Sequence, residues 1–394
     1  MKYIKVLLIL VFFSTLYWNT PVQAEQTEVE LDLDEAEEKI LEEVSLDELQ
    51  HYWENIASDY GGYIPEINKT TIMDVIKNGS SFSLKDIFSS FLNYLFHELV
   101  VNGKLLGLLL MLTLFSSILQ TMYSAFEQSV VSKIAYFIVY LVLIFIALNS
   151  FQTVFTYTKT TIDTMSSFMI GLLPLILGLM ATFGNILTIS FFHPIVIFLI
   201  QLSGLLVSNF ILPILYLSAL LIIVSSLNDH YKVTHLAQLL RSIALGTLGL
   251  FLTVFIGVMS VQGAASAIQD GVAMKTTKFI TGNFIPVVGR TFTDAADTVL
   301  SASLLLKNAV GIVGLLIIVF ISLFPAIKIF AIAFIYKLAA AMLQPIGDGP
   351  IITSLNAIST YIVYILACLL AVSLMFFLSI VFIVVAGNIT LLLR

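Results

Sequence analysis

The sequence predicts an all-α, polytopic membrane protein with a small helical region exported ahead of its membrane body. Three observations predict it. Of the 394 residues, 59% are hydrophobic and 11% are charged, and the mean hydropathy is +1.02. A soluble domain averages about 25% charged residues, so this chain cannot build a water-facing surface all round. Apolar runs recur at about the 20-residue length that lets a helix cross lipid with its backbone hydrogen bonds closed internally. Charge is also segregated. Residues 25–59 hold fourteen acids and one base, Lys39, whereas residues 60–394 hold eleven acids and fifteen bases. An acidic polar segment therefore precedes a mildly basic membrane body, and its acidity would repel phosphate, which argues against a nucleic-acid partner.

Residues 1–24 read as a signal peptide. Lys2 and Lys5 precede an apolar stretch from Val6 to Phe13, and Val22-Gln23-Ala24 suits cleavage. An uncleaved anchor is the competing reading. Either one delivers Glu25 onward outside the cytoplasm, as the positive-inside rule expects.

Residues 25–103 form the exported acidic helical region. Leu41, Val44, Leu49, Trp53, Ile56 and Tyr60 recur at helical spacing over 35–60, and Gly61, Gly62 and Pro65 end that helix. A second helix starts at Ser83, where Ser-Leu-Lys-Asp resembles a capping box. Its face of Ile87, Phe88, Phe91, Leu92, Leu95, Phe96 and Leu99 suits either the membrane surface or packing on Trp53 and its neighbours.

Residues 104–394 form the membrane body, with about seven spans expected among 105–123, 134–151, 168–189, 195–227, 243–261, 304–324, 327–342 and 358–386. The run 195–227 is too long for one straight crossing; it contains Asn209 and Pro213, so it is kinked and tilted or divided. The short run 327–342 carries Lys328 and Lys337 and is a candidate re-entrant segment. Pro174 and Pro213 are separated by the same interval as Pro286 and Pro325, in similar apolar contexts. That pattern suggests an internal, inverted repeat of the transporter kind, with chance similarity between apolar segments as the alternative.

Enzyme signatures are missing: there is no phosphate loop, dinucleotide fingerprint, zinc-protease helix or nucleophile elbow. The five histidines are scattered without ligand spacing, and Cys368 sits alone in an apolar run. The expectation is a non-enzyme without catalytic residues, metal or cofactor, whose surroundings are membrane lipid. The most informative polar feature is a stripe of Arg290, Asp294, Asp297 and Ser301, which at about 100° per residue share about a 60° arc of one helix. It reads as the lining of an aqueous path or as an interfacial helix with its polar side among headgroups.

Candidate intramembrane polar residues are His193, Lys307, Lys328 and Lys337. His193-Pro194 marks a turn between spans, and the lysines can snorkel to the interface. Residues 229–241, with Lys232 and Arg241, read as a surface helix suited to anionic headgroups. Gly103 and Gly107 form a small-x-x-x-small pair.

Several long stretches resemble one family. They include YLFHELVVNGKLLG from Tyr94, SVVSKIAYFIVYLVLIFIALNSF from Ser129 and FFHPIVIFL from Phe191. Further along come YKVTHLAQLLR from Tyr231, KFITGNFIPVVGRTFTDAADTVLSASLLLKN from Lys278 and FIYKLAAAMLQPIGDGP from Phe334. Together they resemble the stage III sporulation protein AE family (SpoIIIAE) of endospore-forming bacteria, over nearly the whole chain but less well before Tyr60. The resemblance implies a multi-pass subunit in the mother-cell membrane facing the forespore. It implies partnership with the other SpoIIIA proteins and SpoIIQ in a secretion-like channel complex, and a YidC/Oxa-type insertase for assembly. No catalytic residues come with it. The functional expectation is a contribution to the pore or export gate; the alternatives are a self-sufficient secondary transporter and a structural scaffold.

Overall fold

The computed structural model describes residues 46–78, 83–125, 130–181, 186–227, 232–284, 288–346 and 350–392. The expected signal peptide and the acidic residues 25–45 lie outside the described residues, as does Pro286 of the suggested repeat.

The described chain opens with a four-helix cap: α1 (Asp47–Tyr60), α2 (Pro65–Lys69), α3 (Ile72–Asn78) and α4 (Leu84–Val101). Helix α1 is amphipathic as its spacing requires: Leu49, Trp53 and Ile56 are buried, while Gln50, His51, Glu54 and Asn55 are exposed. It stops at Gly61, a position where a Cβ would run into the Ala57 carbonyl and the Asn68 side chain, and Pro65 begins α2. Helix α4 starts after Ser83 as expected, but the Ser83 side chain makes no capping bond. The capping box lies instead at α3. There the Thr71 hydroxyl and N–H donate to the Asp74 carboxylate (2.7 and 2.9 Å), and the Asp74 N–H returns to the Thr71 hydroxyl (3.2 Å). Asn102 ends α4 by donating to the Glu98 carbonyl at 2.8 Å. The chain bends by 42° into α5 (Gly103–Ala125).

The body consists of α6 (Val130–Ala181), α7 (Ile186–Leu206), α8 (Leu212–Leu227), α9 (Thr234–Phe284), α10 (Val288–Leu343) and α11 (Pro350–Leu392). A π-helical turn, Val207–Ile211, joins α7 to α8 without a break. It falls where Pro213 lacks the N–H that would continue the ordinary ladder, so the extra residue re-registers the backbone. The sequence left 195–227 as one bent segment or two; it is continuous and carries this bulge.

Five of these apolar stretches are long enough to cross a membrane: Ile134–Ala181, Pro194–Ser226, Thr234–Gln262, Ser301–Leu343 and Pro350–Ala386. The bent pair α4–α5 raises the number to six among the described residues, against about seven expected. The difference comes from fusions. The expected spans 134–151 and 168–189 are joined through polar but helix-compatible residues into α6. Those at 304–324 and 327–342 are joined through Pro325, which sits inside α10, so 327–342 is the end of a long helix rather than a separate re-entrant piece. Likewise, residues from Thr234 to Arg241 are the first turns of α9 rather than a separate surface helix. Pro194 lies within α7, so no turn forms at 193–194.

Helices α6, α9, α10 and α11 have 52, 51, 56 and 43 residues, about 65–84 Å at 1.5 Å per residue. A hydrocarbon layer is only about 30 Å thick, so each is about two to three times as long as one perpendicular crossing needs. Helix α10 lies antiparallel between α6 and α11. Gly314 meets Leu172, and Lys328 meets Tyr157 farther back along α6. Toward α11, Ser322 meets Ser373 and Ala333 meets Ser359. Ile176, Ile317, Leu369 and Phe376 are fully buried where these helices meet.

Candidate functional site

Most of the polar candidates lie on α10, and the fold distributes them along its length. Arg290, Asp294 and Asp297 occupy the first turns of this helix; their side chains lie outside the described residues, as does that of His193. Ser301 is exposed at the start of the membrane-competent stretch. Two turns farther on, Asn308 falls on the same stripe, and its side-chain oxygen is buried without a hydrogen-bond partner among the described residues.

Lys307 is fully buried. Its ammonium donates to the Val384 carbonyl (3.1 Å) and to the Asn388 amide oxygen (2.7 Å), both on α11. The close approach has a visible cause at Gly311, one turn along, where an added Cβ would lie 2.6 Å from a Val384 methyl. A buried ammonium demands such acceptors, because an unpaired charge in a low-dielectric interior is strongly penalised. Lys307 therefore does not snorkel.

Lys328, at mid-helix, joins three elements. It donates to the Tyr157 hydroxyl (2.9 Å), lies 4.4 Å from the centre of that ring and stands 4.0 Å from the Glu98 carboxylate of α4. Asn102 donates to the same carboxylate at 3.0 Å. One turn before Lys328, Phe324 is fully buried among cap aromatics. Tyr60 stacks on it at 3.9 Å and 2°, while Tyr94 and Phe91 meet it edge-on at 5.0 and 5.4 Å. Burial, followed by the charges of Asp59, Tyr157 and Glu98, pushes the Tyr60 phenol up to about 12. On α6, Tyr52 meets Phe168 edge-on at 5.0 Å and the Glu48 side chain lies against Gly171, leaving no room for a Cβ. The cap is thus docked along the far half of α6 and the middle of α10. Of the expected face on α4, Phe91 and Leu99 turn inward, whereas Phe88 (70% exposed) and Phe96 (59% exposed) turn outward.

Lys337, near the end of α10, donates to the Asn356 side-chain oxygen at 2.6 Å. It lines a cleft of about 340 Å³ between α10 and α11. Gly103 and Gly107 have nothing within 4 Å of an added Cβ, so they mark no close helix contact.

Residue patterns did not reveal the hydroxyl junctions inside the bundle. Tyr140 on α6 reaches Ser226 (2.7 Å) and Ser354 (2.9 Å), which are themselves 2.7 Å apart. Ser218 meets Tyr361 at 2.6 Å, and Arg241 donates to Tyr364 at 3.4 Å. These bonds tie α6, α8, α9 and α11 together by the interhelical hydrogen bonding that apolar surroundings favour. Serine and tyrosine scattered through apolar runs carry no spacing signal that would pair them. Cys368 is buried in α11. Among the described residues, no group of three His, Cys, Asp or Glu side chains could hold a metal ion.

Comparison with known proteins gives a consistent result. The family model for stage III sporulation protein AE matches residues 67–387. A curated relative, "Stage III sporulation protein AE" of Bacillus subtilis (strain 168), is 52% identical over 372 residues, covering 94% of this chain and 93% of the relative. No solved structure matches.

Proposed function

Because this chain belongs to the stage III sporulation protein AE family, we propose that it is a membrane subunit of a channel complex between mother cell and forespore. In this reading it works with the other SpoIIIA proteins and SpoIIQ and contributes to the pore or export gate of a secretion-like assembly. Membership of a sporulation family and a multi-helix membrane body support this reading. The protein performs no bond chemistry of its own; energy for transport comes from a partner. The signal peptide sends the cap outside the cytoplasm, and a YidC/Oxa-type insertase assists assembly of the long helices.

The observation that carries the reading is the composition of α10. One helix begins with the Arg290–Ser301 stripe, continues through buried Lys307 and half-buried Asn308, and packs between α6 and α11. Ionisable residues persist at membrane depth where they face water or one another, which suits a helix beside an aqueous route. The test is complementation of a strain lacking the protein, with Asp294 and Asp297 both changed to Lys. Membrane-localised variant protein with sporulation no better than the empty strain is expected. Normal sporulation would sink the pore-lining role. The docked cap favours the scaffold reading: full function of the stripe variant, combined with loss on deletion of 47–78, would select it.

A further inference from the structure

The cleft near the end of α10 has an arrangement that none of the preceding roles uses. Its polar lining is Lys337 and Gln344 from α10 and its following turn, with Thr353 and Asn356 from α11; Ala340 and Ala341 leave the space between them open. These polar groups comprise one ammonium, two side-chain amides and one hydroxyl, all able to donate. Among the described residues, no carboxylate lines the cleft and none forms a salt bridge with Lys337. The Lys337 hydrogen bond to Asn356 uses a neutral oxygen, which accepts from the ammonium without neutralising it. A volume of about 340 Å³ falls in the range of small-ligand sites, about 300–1,000 Å³.

What lies deeper along the same two helices selects the ligand. Phe330 and Phe334 are two turns and one turn before Lys337 on the same side of α10 and stack at 6.3 Å. Both are exposed, at 45% and 44%. On α11, Val363 and Leu370 repeat the Asn356 position every seven residues, and both are exposed. Because the helices run antiparallel, both apolar rows lead away from the polar mouth in the same direction. Phe330 lies about 10 Å from the level of Lys337 along the axis. A donor-rich mouth from which two exposed apolar rows lead away matches a lipid: phosphodiester headgroup at the helix ends, acyl chain along the aromatic and aliphatic rows.

We propose that this cleft binds an anionic phospholipid, with Lys337 and Asn356 holding the phosphate and Phe330, Phe334, Val363 and Leu370 flanking an acyl chain. Basic pockets between membrane helices provide the charge and hydrogen bonds that such headgroups need. The site does not depend on the channel reading.

The test uses the full-length protein, purified in detergent and depleted of lipid. Binding is then followed by native mass spectrometry as dioleoyl-phosphatidylglycerol, dioleoyl-phosphatidylcholine or inorganic phosphate is added. Wild type is expected to retain phosphatidylglycerol in preference to phosphatidylcholine. Lys337→Gln is expected to weaken that binding about tenfold, the scale of a lost charge-assisted hydrogen bond. Asn356→Leu is expected to weaken it by a smaller factor, and Lys69→Gln, a charge change at an exposed position of the cap, to leave it unaltered. Unchanged phosphatidylglycerol binding in folded Lys337→Gln and Asn356→Leu proteins would overturn the proposal, as would equal retention of phosphatidylcholine by wild type. Displacement of the lipid by inorganic phosphate at equal concentration would assign the cleft to a soluble anion and overturn the lipid as its occupant.

Discussion

Phe324→Ala is expected to release the cap from the bundle while leaving the bundle folded. The side chain is fully buried and is met by three cap rings: Tyr60 stacked at 3.9 Å, Tyr94 at 5.0 Å and Phe91 at 5.4 Å. Favourable aromatic pairs contribute about 0.5–1.5 kcal/mol each beyond area burial, so three are worth about 1.5–4.5 kcal/mol. That range sits at or below the about 3–5 kcal/mol typical of a whole buried Phe→Ala change. Because these partners belong to α1 and α4, the loss falls on cap docking rather than on the α6–α10–α11 core. The open-cap population should rise by between about tenfold and a thousandfold, at about 1.4 kcal/mol per factor of ten.

Two measurements read this out in the reconstituted full-length protein. Trypsin should cut faster at Lys69, Lys77 and Lys85, all exposed but held within or beside cap helices. In a Trp18→Phe background Trp53 is the remaining tryptophan; it is buried and its indole donates to the Thr70 carbonyl at 3.2 Å, so its emission should shift to the red. Phe330→Ala is the matched control, since that ring is 45% exposed on the same helix and stacks on Phe334. Cleavage and emission indistinguishable from wild type in Phe324→Ala would refute the docking argument.

Two further outcomes follow from the polar contacts. Lys307→Met and Asn388→Leu should be non-additive by about 1 kcal/mol in detergent unfolding, within the usual range for residues in direct contact; simple additivity would mean their 2.7 Å bond does not matter to stability. At α3, the hydroxyl and then the backbone N–H of Thr71 hold the fully exposed Asp74 carboxyl below its ordinary range. Its capping contribution is therefore complete above the unfolded carboxylate value, about 3.9, and is lost as pH falls through the lowered folded value. Amide exchange across 71–78, corrected for intrinsic rates, should rise on acidification in wild type. It should already be elevated near pH 7 in Thr71→Ala, and an unaltered profile in that variant would count against the cap.

The cap shows how far local pattern reaches. Apolar spacing correctly placed Leu49, Trp53 and Ile56 on the buried side of α1, and Ser83 correctly marked the start of α4. The short helices α2 and α3 went unread, although Thr71-x-x-Asp74 carried a capping signature as good as the one at Ser83. In the body, apolar runs were found in the right places but divided wrongly. A polar interval such as 152–167 separates two hydrophobic windows without containing anything that stops a helix, and Pro325 is accommodated inside α10. Of the candidate polar residues, Lys307, Lys328 and Lys337 were visible as lysines in apolar surroundings. Their three different situations, buried against α11, clasping the cap and opening on a cleft, were not.

The sequence by itself determined the solvent and the helical class. So little charge over so much apolar surface requires lipid, and lipid requires backbone bonds closed within helices. Tertiary structure alone decided which helices fuse, where the cap docks and which polar groups meet. Lys307 finds Asn388 across 81 residues and Tyr140 finds Ser354 across 214. Helical periodicity identifies the face that must be covered, but apolar faces are nearly interchangeable partners. Close approaches such as Gly311 on Val384, and the few hydrogen bonds between helices, choose among them.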